Sequence, residues 1–156
     1  MIVGVPTEAI AGENRVAQTP ETTKQLVDMG LTVHVQKGAG TAAGYPDTDY
    51  QDAGAKIVPT LDVSKVDVLT HVRPLGTATV NKLTAGTITV GLASPASEGP
   101  VVKALAKKKV TSFALELVPR ISRAQSMDAL TSQALVAGYR CVLEAAMRFP
   151  RFLPLY

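Results

Sequence analysis

The 156-residue sequence contains few of the residues on which several protein classes depend. It has no tryptophan, 4% aromatic residues, a single cysteine and two histidines. One cysteine cannot form an internal disulfide, and His34 and His71 without a Cys-x-x-Cys pair give little support to a metal site or a cysteine nucleophile. We therefore predict no bound metal and expect Cys141 to be a small buried residue. The core must be aliphatic, which favours buried parallel strands covered by helices.

Long apolar runs are also missing. No stretch approaches the ~18 residues that a transmembrane helix requires, and Met1 leads directly into a short strand rather than a signal sequence. These absences predict a soluble, cytoplasmic protein with no direct membrane insertion. The net charge of +3 is clustered at residues 107–109, which we interpret as a solvated helix end. Nucleic-acid binding is not predicted, because such proteins carry their charge on a recognisable module.

Strand-like and helix-like segments alternate along the chain. The strand-like segments are short and rich in β-branched and aliphatic residues, and they cover residues 2–5, 31–36, 56–58, 67–72, 87–92 and 110–115. A first helix is expected from Pro20, after Thr19 as N-cap, to a left-handed Gly30. Further helices are predicted over 47–53, 80–85 and 98–108. This alternation predicts an α/β fold, a three-layer, doubly wound, mainly parallel sheet of the flavodoxin-like or Rossmann-like kind.

The longest helix is predicted over residues 127–148, with Ser126 as its N-cap. Apolar residues recur along it at three- and four-residue spacing, so we expect the helix to be heavily buried. Arg140, Glu144 and Arg148 follow one another at i,i+4 and predict a polar edge. The apolar residues 149–156 are interpreted as the stump of an interdomain connection.

The segment before this helix concentrates groups that bind anions and amides. Residues 118–130 are VPRISRAQSMDAL and follow a strand, where ligands bind in doubly wound folds. Guanidinium groups suit phosphates, carboxylates and carboxamides, and a glutamine amide both donates and accepts. We predict a nucleotide or anion site of Arg120, Gln125 and Asp128, with Asp128 fixing the Arg120 guanidinium. The alternative is a structural loop held by an Arg–Asp pair, with Gln125 merely exposed.

Three other features are interpreted as structural. The sequence GAGTAAG over residues 38–44 has the spacing of a phosphate-binding loop. Tyr45 and Pro46 follow at once, however, so no helix can continue from it over a pyrophosphate. Arg15 is interpreted as an arginine that bonds loop carbonyls, and His71, at a strand end, as a structural histidine.

The sequence resembles a known family in two segments. VPRISRAQSMDALTSQALVAGYRCVLEAA, residues 118–146, is similar to the signature of the alpha subunit of proton-translocating NAD(P) transhydrogenases. The first 44 residues are similar to the same family and to its relative, alanine dehydrogenase. The resemblance implies that residues 1–148 are the N-terminal domain and that the NAD-binding Rossmann domain is absent. It also implies that Arg120, Gln125 and Asp128 are catalytic and cofactor-binding residues, joined at the cofactor by the hydroxyl of Thr131.

The activity implied by the resemblance is hydride transfer between NAD(H) in the full subunit and NADP(H) on a partner subunit. Proton translocation by membrane subunits would be coupled to it. The implied assembly is a homodimer, held peripherally at the inner membrane by transhydrogenase beta and membrane subunits, and the present piece alone is expected to be inactive. A catalytically silent fragment, or a dimerisation or regulatory module, is the alternative.

Alanine dehydrogenase activity is the less favoured third interpretation. In those enzymes the arginine at Arg15 binds the substrate carboxylate. They also carry a catalytic lysine where this chain has His71-Val72-Arg73, and a catalytic histidine at the position of Ser94. Arginine stays protonated and cannot replace a lysine as an acid–base group.

Overall fold

The computed structural model describes residues 1–151, which form two units: Met1–Ala114, and the described portion of Leu115–Tyr156. The first unit contains a six-stranded parallel sheet, and its elements alternate as predicted. The strands are β1 (Ile2–Val5), β2 (Thr32–Gln36), β3 (Lys56–Val58), β4 (Val68–Thr70), β5 (Ile88–Gly91) and β6 (Thr111–Ala114). The helices of this unit are α1 (Pro20–Asp28), α2 (Asp47–Asp52), α3 (Thr77–Lys82) and α4 (Gly99–Lys108).

The strand order is β3-β2-β1-β4-β5-β6, with parallel pairing at every junction between neighbours. This confirms the predicted doubly wound α/β fold and is the Rossmann order rather than the flavodoxin order. The amino-terminal strand β1 lies in the middle, where Val3 is in register with Val33 on one side and Val68 on the other. The order reverses between β1 and β4, so the loops after these strands leave in opposite directions.

Two hydrophobic cores cover the two faces of the sheet. On one face, Val3 and Val5 pack in a buried cluster with Tyr50 of α2, and Leu26 of α1 lies against it. On the other face, Leu69 packs with Val80 of α3 and with α4 through the residues Val101 and Leu105. Gly4 faces this second core so closely that a Cβ there would lie 2.8 Å from a Val66 methyl carbon. The second cluster is aliphatic, as the shortage of aromatic residues predicts, whereas the first includes the fully buried Tyr50.

The start and end of α1 confirm the sequence signals. The Thr19 hydroxyl accepts from the Thr22 amide at 3.3 Å, and the Thr22 hydroxyl accepts from the Thr19 amide at 2.9 Å. Pro20 occupies the first turn, and Gly30 has a left-handed φ of 84°. The glycine-rich segment also behaves as expected: it forms only a 3₁₀ turn at Thr41–Ala43 before Gly44.

Two predicted boundaries are wrong in an instructive way. The helix predicted over residues 80–85 is α3, which begins earlier, after the extended Gly76, and ends before the extended Leu83. Leu83 is 2% exposed and is part of the second core, so burial rather than helix propensity decides its conformation. The predicted strand 67–72 is shortened to β4, because the chain turns away from the sheet after His71.

The second unit consists of short 3₁₀ turns followed by the helix α5 (Ala129–Arg148). The predicted heavy burial of α5 is wrong, because none of its residues is buried and Leu135, Tyr139 and Met147 are at least 70% exposed. Cys141 is exposed as well. Within its own unit α5 contacts the 3₁₀ turn Leu115–Leu117, which is too short to cover a helix of 20 residues. The apolar spacing of α5 indicates a face that could pack against another surface. It does not indicate that the described residues provide that surface.

The polar edge of α5 is confirmed. Glu144 accepts from Arg140 at 2.5 Å and lies 3.5 Å from Arg148, both at i,i+4. The helix closes at Phe149, whose amide donates to the Ala145 carbonyl at 2.9 Å. Residues 152–156 of the predicted interdomain connection lie outside the described residues. Over residues 1–151, no helix has both the length and the apolar character that crossing a bilayer requires.

Candidate functional site

The predicted nucleotide loop is an ordered series of turns that leads into α5. Ile121 donates to the Pro119 carbonyl and Ala124 to the Ile121 carbonyl, both at 2.9 Å. A 3₁₀ segment follows over Ser122–Met127. Ala124 is 5% exposed and anchors the loop, while its neighbours point outward. The backbone therefore presents the polar side chains on a surface and does not bury them.

Three predicted site residues line one open pocket. Its volume is about 260 Å³, and its lining comprises Arg120, Ile121, Ser122, Ala124, Gln125 and Asp128. Arg120 and Gln125 are exposed. Their side chains make no hydrogen bond or ion pair to any portion of the chain that the structure describes. Both groups are thus available to a ligand.

Asp128 has a different task from the one predicted. Its Oδ1 accepts from the Thr131 amide at 2.9 Å, and its Oδ2 accepts from the Thr131 hydroxyl at 2.6 Å. These bonds from Thr131 hold the pKa of the Asp128 carboxyl below its usual range, with a smaller electrostatic contribution from Arg120. Asp128 is therefore the N-cap of α5, and the prediction that Ser126 would be the cap is wrong.

The predicted Arg120–Asp128 pair is not formed. Arg120 influences Asp128 only at longer range, through its charge. The reason is local: an N-cap carboxylate faces the first-turn amides of its own helix, and both of its oxygens are used there. Thr131, which the resemblance assigns to the cofactor, donates its hydroxyl hydrogen bond to Asp128.

A second group of predicted residues lies at the point where the strand order reverses. The Arg15 guanidinium donates through Nε and Nη2 to the two carboxylate oxygens of Glu13, at 2.7 and 2.6 Å. The Arg15 hydrogen bond holds the pKa of Glu13 at about 2, and Arg73 adds a weaker effect. These bonds agree with the interpretation of Arg15 as a structural residue. The acceptors are carboxylate oxygens, however, and not the loop carbonyls that were predicted.

His71 is buried at the end of β4. Its Nδ1 lies 2.8 Å from the Arg73 carbonyl oxygen, which can only accept, so the hydrogen bond places the ring proton on Nδ1. The histidine also packs over Gly91 of β5. A Cβ at that glycine would collide with the His71 carbonyl oxygen and would lie 2.5 Å from Nδ1. This tight packing agrees with the interpretation of His71 as a structural histidine.

Sequence reasoning missed Glu8, which the fold brings to the same place. Its carboxylate accepts from the Val72 amide at 2.6 Å and from the Arg73 amide at 3.1 Å. The only sequence signal is a carboxylate three residues after a central strand. No groups of three or more histidine, cysteine, aspartate or glutamate side chains are arranged to hold a metal ion in residues 1–151.

The parallel sheet and its strand order define the molecule as a doubly wound, Rossmann-like α/β protein, in which a polar loop follows the last strand of the sheet along the chain. More particularly, the chain belongs to the alanine dehydrogenase/PNT N-terminal domain family, whose family model matches residues 4–137.

Individual relatives agree with this assignment. The first part of the NAD(P) transhydrogenase subunit alpha of Rhodospirillum rubrum is 43% identical to this chain. The match covers 99% of this chain and 42% of that protein. The crystal structure of transhydrogenase from Sinorhizobium meliloti superimposes with a TM-score of 0.94 at 37% identity, over 100% of this chain and 47% of that one. An alanine dehydrogenase of Staphylococcus saprophyticus is 34% identical over 88% of this chain and 37% of its own length. The chain thus spans less than half the length of these relatives.

Proposed function

We propose that the chain is the amino-terminal portion of an NAD(P) transhydrogenase alpha subunit and that its loop at residues 120–128 positions the nicotinamide of NAD(H). The observation that carries the proposal is the pair of unengaged side chains, Arg120 and Gln125, which line one open pocket. The relatives of 43% and 37% identity are named transhydrogenases, which supports this family member over the alanine dehydrogenases.

The pocket suits one end of a dinucleotide. Its volume of about 260 Å³ is below the usual range for sites that enclose a whole drug-sized ligand, ~300–1,000 Å³. Arg120 supplies planar donors and Gln125 supplies a donor and an acceptor, a combination that matches a carboxamide. A nicotinamide bound there supplies the hydride or receives it. The remainder of the dinucleotide requires surface beyond the residues that line this pocket.

The roles of the four side chains divide into two pairs. Arg120 and Gln125, both exposed and both lining the pocket, contact the nucleotide. Asp128 and Thr131 are positioning residues, because their mutual hydrogen bonds fix the junction between the loop and α5. Direct hydride transfer needs no protein acid or base, so holding the reactants in near-attack geometry is the main catalytic contribution.

The larger assembly follows from the same proposal. NADP(H) is held by a partner beta subunit, and membrane subunits couple the reaction to proton translocation. The alpha subunit is a homodimer and lies peripheral to the inner membrane through these partners. Alanine dehydrogenase activity is opposed by His71-Val72-Arg73 and Ser94, which stand where the dehydrogenases carry a catalytic lysine and a catalytic histidine. A catalytically silent module remains the alternative that the following experiment addresses.

The test is Gln125→Asn in an assembled enzyme whose alpha subunit carries this chain as its amino-terminal portion. Shortening the side chain by one methylene withdraws the amide by about 1 Å, and a displacement of this size can slow a positioned reaction by up to ~100-fold. We expect single-turnover hydride transfer to slow by at least about tenfold, with the Kd for NADH changed less than about twofold.

Gln51→Asn is the matched control, because Gln51 is an exposed glutamine on α2 in the other unit. It should leave both the rate and the affinity unchanged. An unaltered single-turnover rate in the Gln125 variant would remove Gln125 from hydride transfer and favour the silent module.

A further inference from the structure

One side chain joins the loop that follows β1 to the loop that follows β4, at the point where the strand order reverses. β1 ends at Val5 and β4 ends at Thr70, so the backbones diverge from neighbouring strands and leave a crevice between them. Glu8, on the first loop, spans this crevice. Its two carboxylate oxygens accept from the amides of Val72 and Arg73, which lie 64 and 65 residues further along the chain.

These contacts are of the strong kind. A carboxylate that accepts from backbone amides makes charge-assisted hydrogen bonds, about twice as strong as neutral ones. At 2.6 and 3.1 Å both oxygens of Glu8 are used, and the carboxylate is half-buried. Arg15 and Arg73 supply positive charge nearby. The Glu8 carboxylate raises the pKa of Arg15, although less than Glu13 does. The charge of Arg73 in turn lowers the pKa of Glu13.

The loop beyond Glu8 has the features of a strap fixed at two points. Residues 9–12 are exposed, and Gly12 has a left-handed φ of 83° with open space around it. The strap closes at Glu13, whose amide donates to the Ile10 carbonyl at 3.1 Å and whose carboxylate holds Arg15. The Glu13–Arg15 bonds are local to the loop. Among these tethers, those of Glu8 are the ones that cross to the β4 side.

A small cavity lies between the strap and the β4 loop. Its volume is about 80 Å³, enough for a few water molecules at about 30 Å³ each. Glu8 and Ile10 line it from the strap, and His71, Arg73 and Leu75 line it from the opposite loop. The Glu8 carboxylate therefore stands at the boundary of this cavity, where the two loops meet.

We propose that Glu8 is a latch that holds residues 9–12 closed over the crevice between β1 and β4, and that loss of its carboxylate opens the cavity while the sheet stays intact. This device is separate from the nucleotide loop and does not depend on the proposed transhydrogenase function. The latch is specific in its geometry, since it uses two successive amides that belong to no strand.

Hydrogen exchange of individual amides tests the latch in the chain as it stands. Glu8→Gln retains the size of the side chain but not its charge or its second acceptor oxygen. We expect exchange at Val72 and Arg73 to accelerate by at least about tenfold, because each amide loses a charge-assisted bond. The amide of His71, one residue away, donates to the Val90 carbonyl at 3.0 Å in the sheet and should keep its protection. Glu21→Gln, on the exposed surface of α1, should change none of the three.

A second measurement reports on the cavity itself. In a Cys141→Ser background, a cysteine introduced by Leu75→Cys should react faster with iodoacetamide when Glu8 is also replaced by glutamine. Unchanged exchange at Val72 and Arg73, or unchanged labelling of the cysteine, would overturn the latch. Acceleration spread evenly over β4 and β5 would overturn it too, because Glu8 would then contribute only to global stability.

Discussion

At the scale of single residues, the ion pair between Glu13 and Arg15 links proton binding to stability. The ordinary pKa of the glutamate is 4.5, and the Arg15 hydrogen bond lowers it to about 2 in the folded chain. The unfolded chain therefore binds more protons than the folded chain between these two pH values. The stabilisation is complete above about pH 4.5 and is lost as the pH falls towards 2.

We expect Glu13→Gln to flatten the pH dependence of the free energy of unfolding between pH 4.5 and 2. Urea unfolding at a series of pH values measures this dependence. Arg15→Gln should produce a similar flattening, because the carboxylate then regains its ordinary pKa without its partner. If either variant kept the slope of the unaltered chain, the ion pair would not be the source of that acid sensitivity.

At the scale of secondary-structure elements, the start of α5 depends on Asp128 rather than Ser126. Replacing Asp128 with alanine removes the acceptor for the Thr131 amide and hydroxyl. We expect this change to destabilise the start of the helix, as is usual when an N-cap side chain is lost. Ser126→Ala is the matched control, because Ser126 lies in the preceding 3₁₀ segment and should have little effect.

Amide exchange in the first turn of α5 distinguishes the two variants. Asp128→Ala should accelerate exchange at Thr131 and lower the helical circular dichroism signal, while Ser126→Ala should change neither. The reverse result would restore the assignment of Ser126 as the cap.

The helices and strands differ in how far sequence could predict them. The bounds of β1 and β3 were predicted to the residue, because turn residues and polar neighbours punctuate both strands. Local signals failed where tertiary contacts decide: Leu83 leaves the helix to join a core, and α5 has the apolar spacing of a buried helix without a covering surface among the described residues. Sequence patterns indicate which face of an element is apolar, and only the three-dimensional structure shows what packs against that face.

The candidate site was predicted only partly for the same reason. Arg120, Gln125 and Asp128 were predicted to form one site, and all three line one pocket. The sequence could not show whether the Asp128 carboxylate would bond Arg120 or the first turn of α5, because both are close to it along the chain. Glu8 was missed altogether, since its partners lie 64 and 65 residues away and are backbone amides that no sequence motif marks.

At the scale of the whole molecule, the proposed nicotinamide pocket offers NADH only part of the surface that a dinucleotide buries. Binding sites usually enclose ~70–90% of a ligand of drug size, whereas the pocket at Arg120 and Gln125 is open and has a volume of about 260 Å³. We therefore expect the 156-residue chain to bind NADH weakly or not at all in isothermal titration calorimetry. Micromolar affinity would mean that the chain contains a complete dinucleotide site.

The central place of β1 has a consequence for how the sheet assembles. Both neighbours of β1 come later in the chain, so its edges stay open until β2 and β4 are available, and the pairing of Val3 with Val68 closes a long loop of chain. Early folding is therefore slowed by non-local pairing at the centre. Deletion of β1, a segment of only four residues, would divide the sheet into β3-β2 and β4-β5-β6.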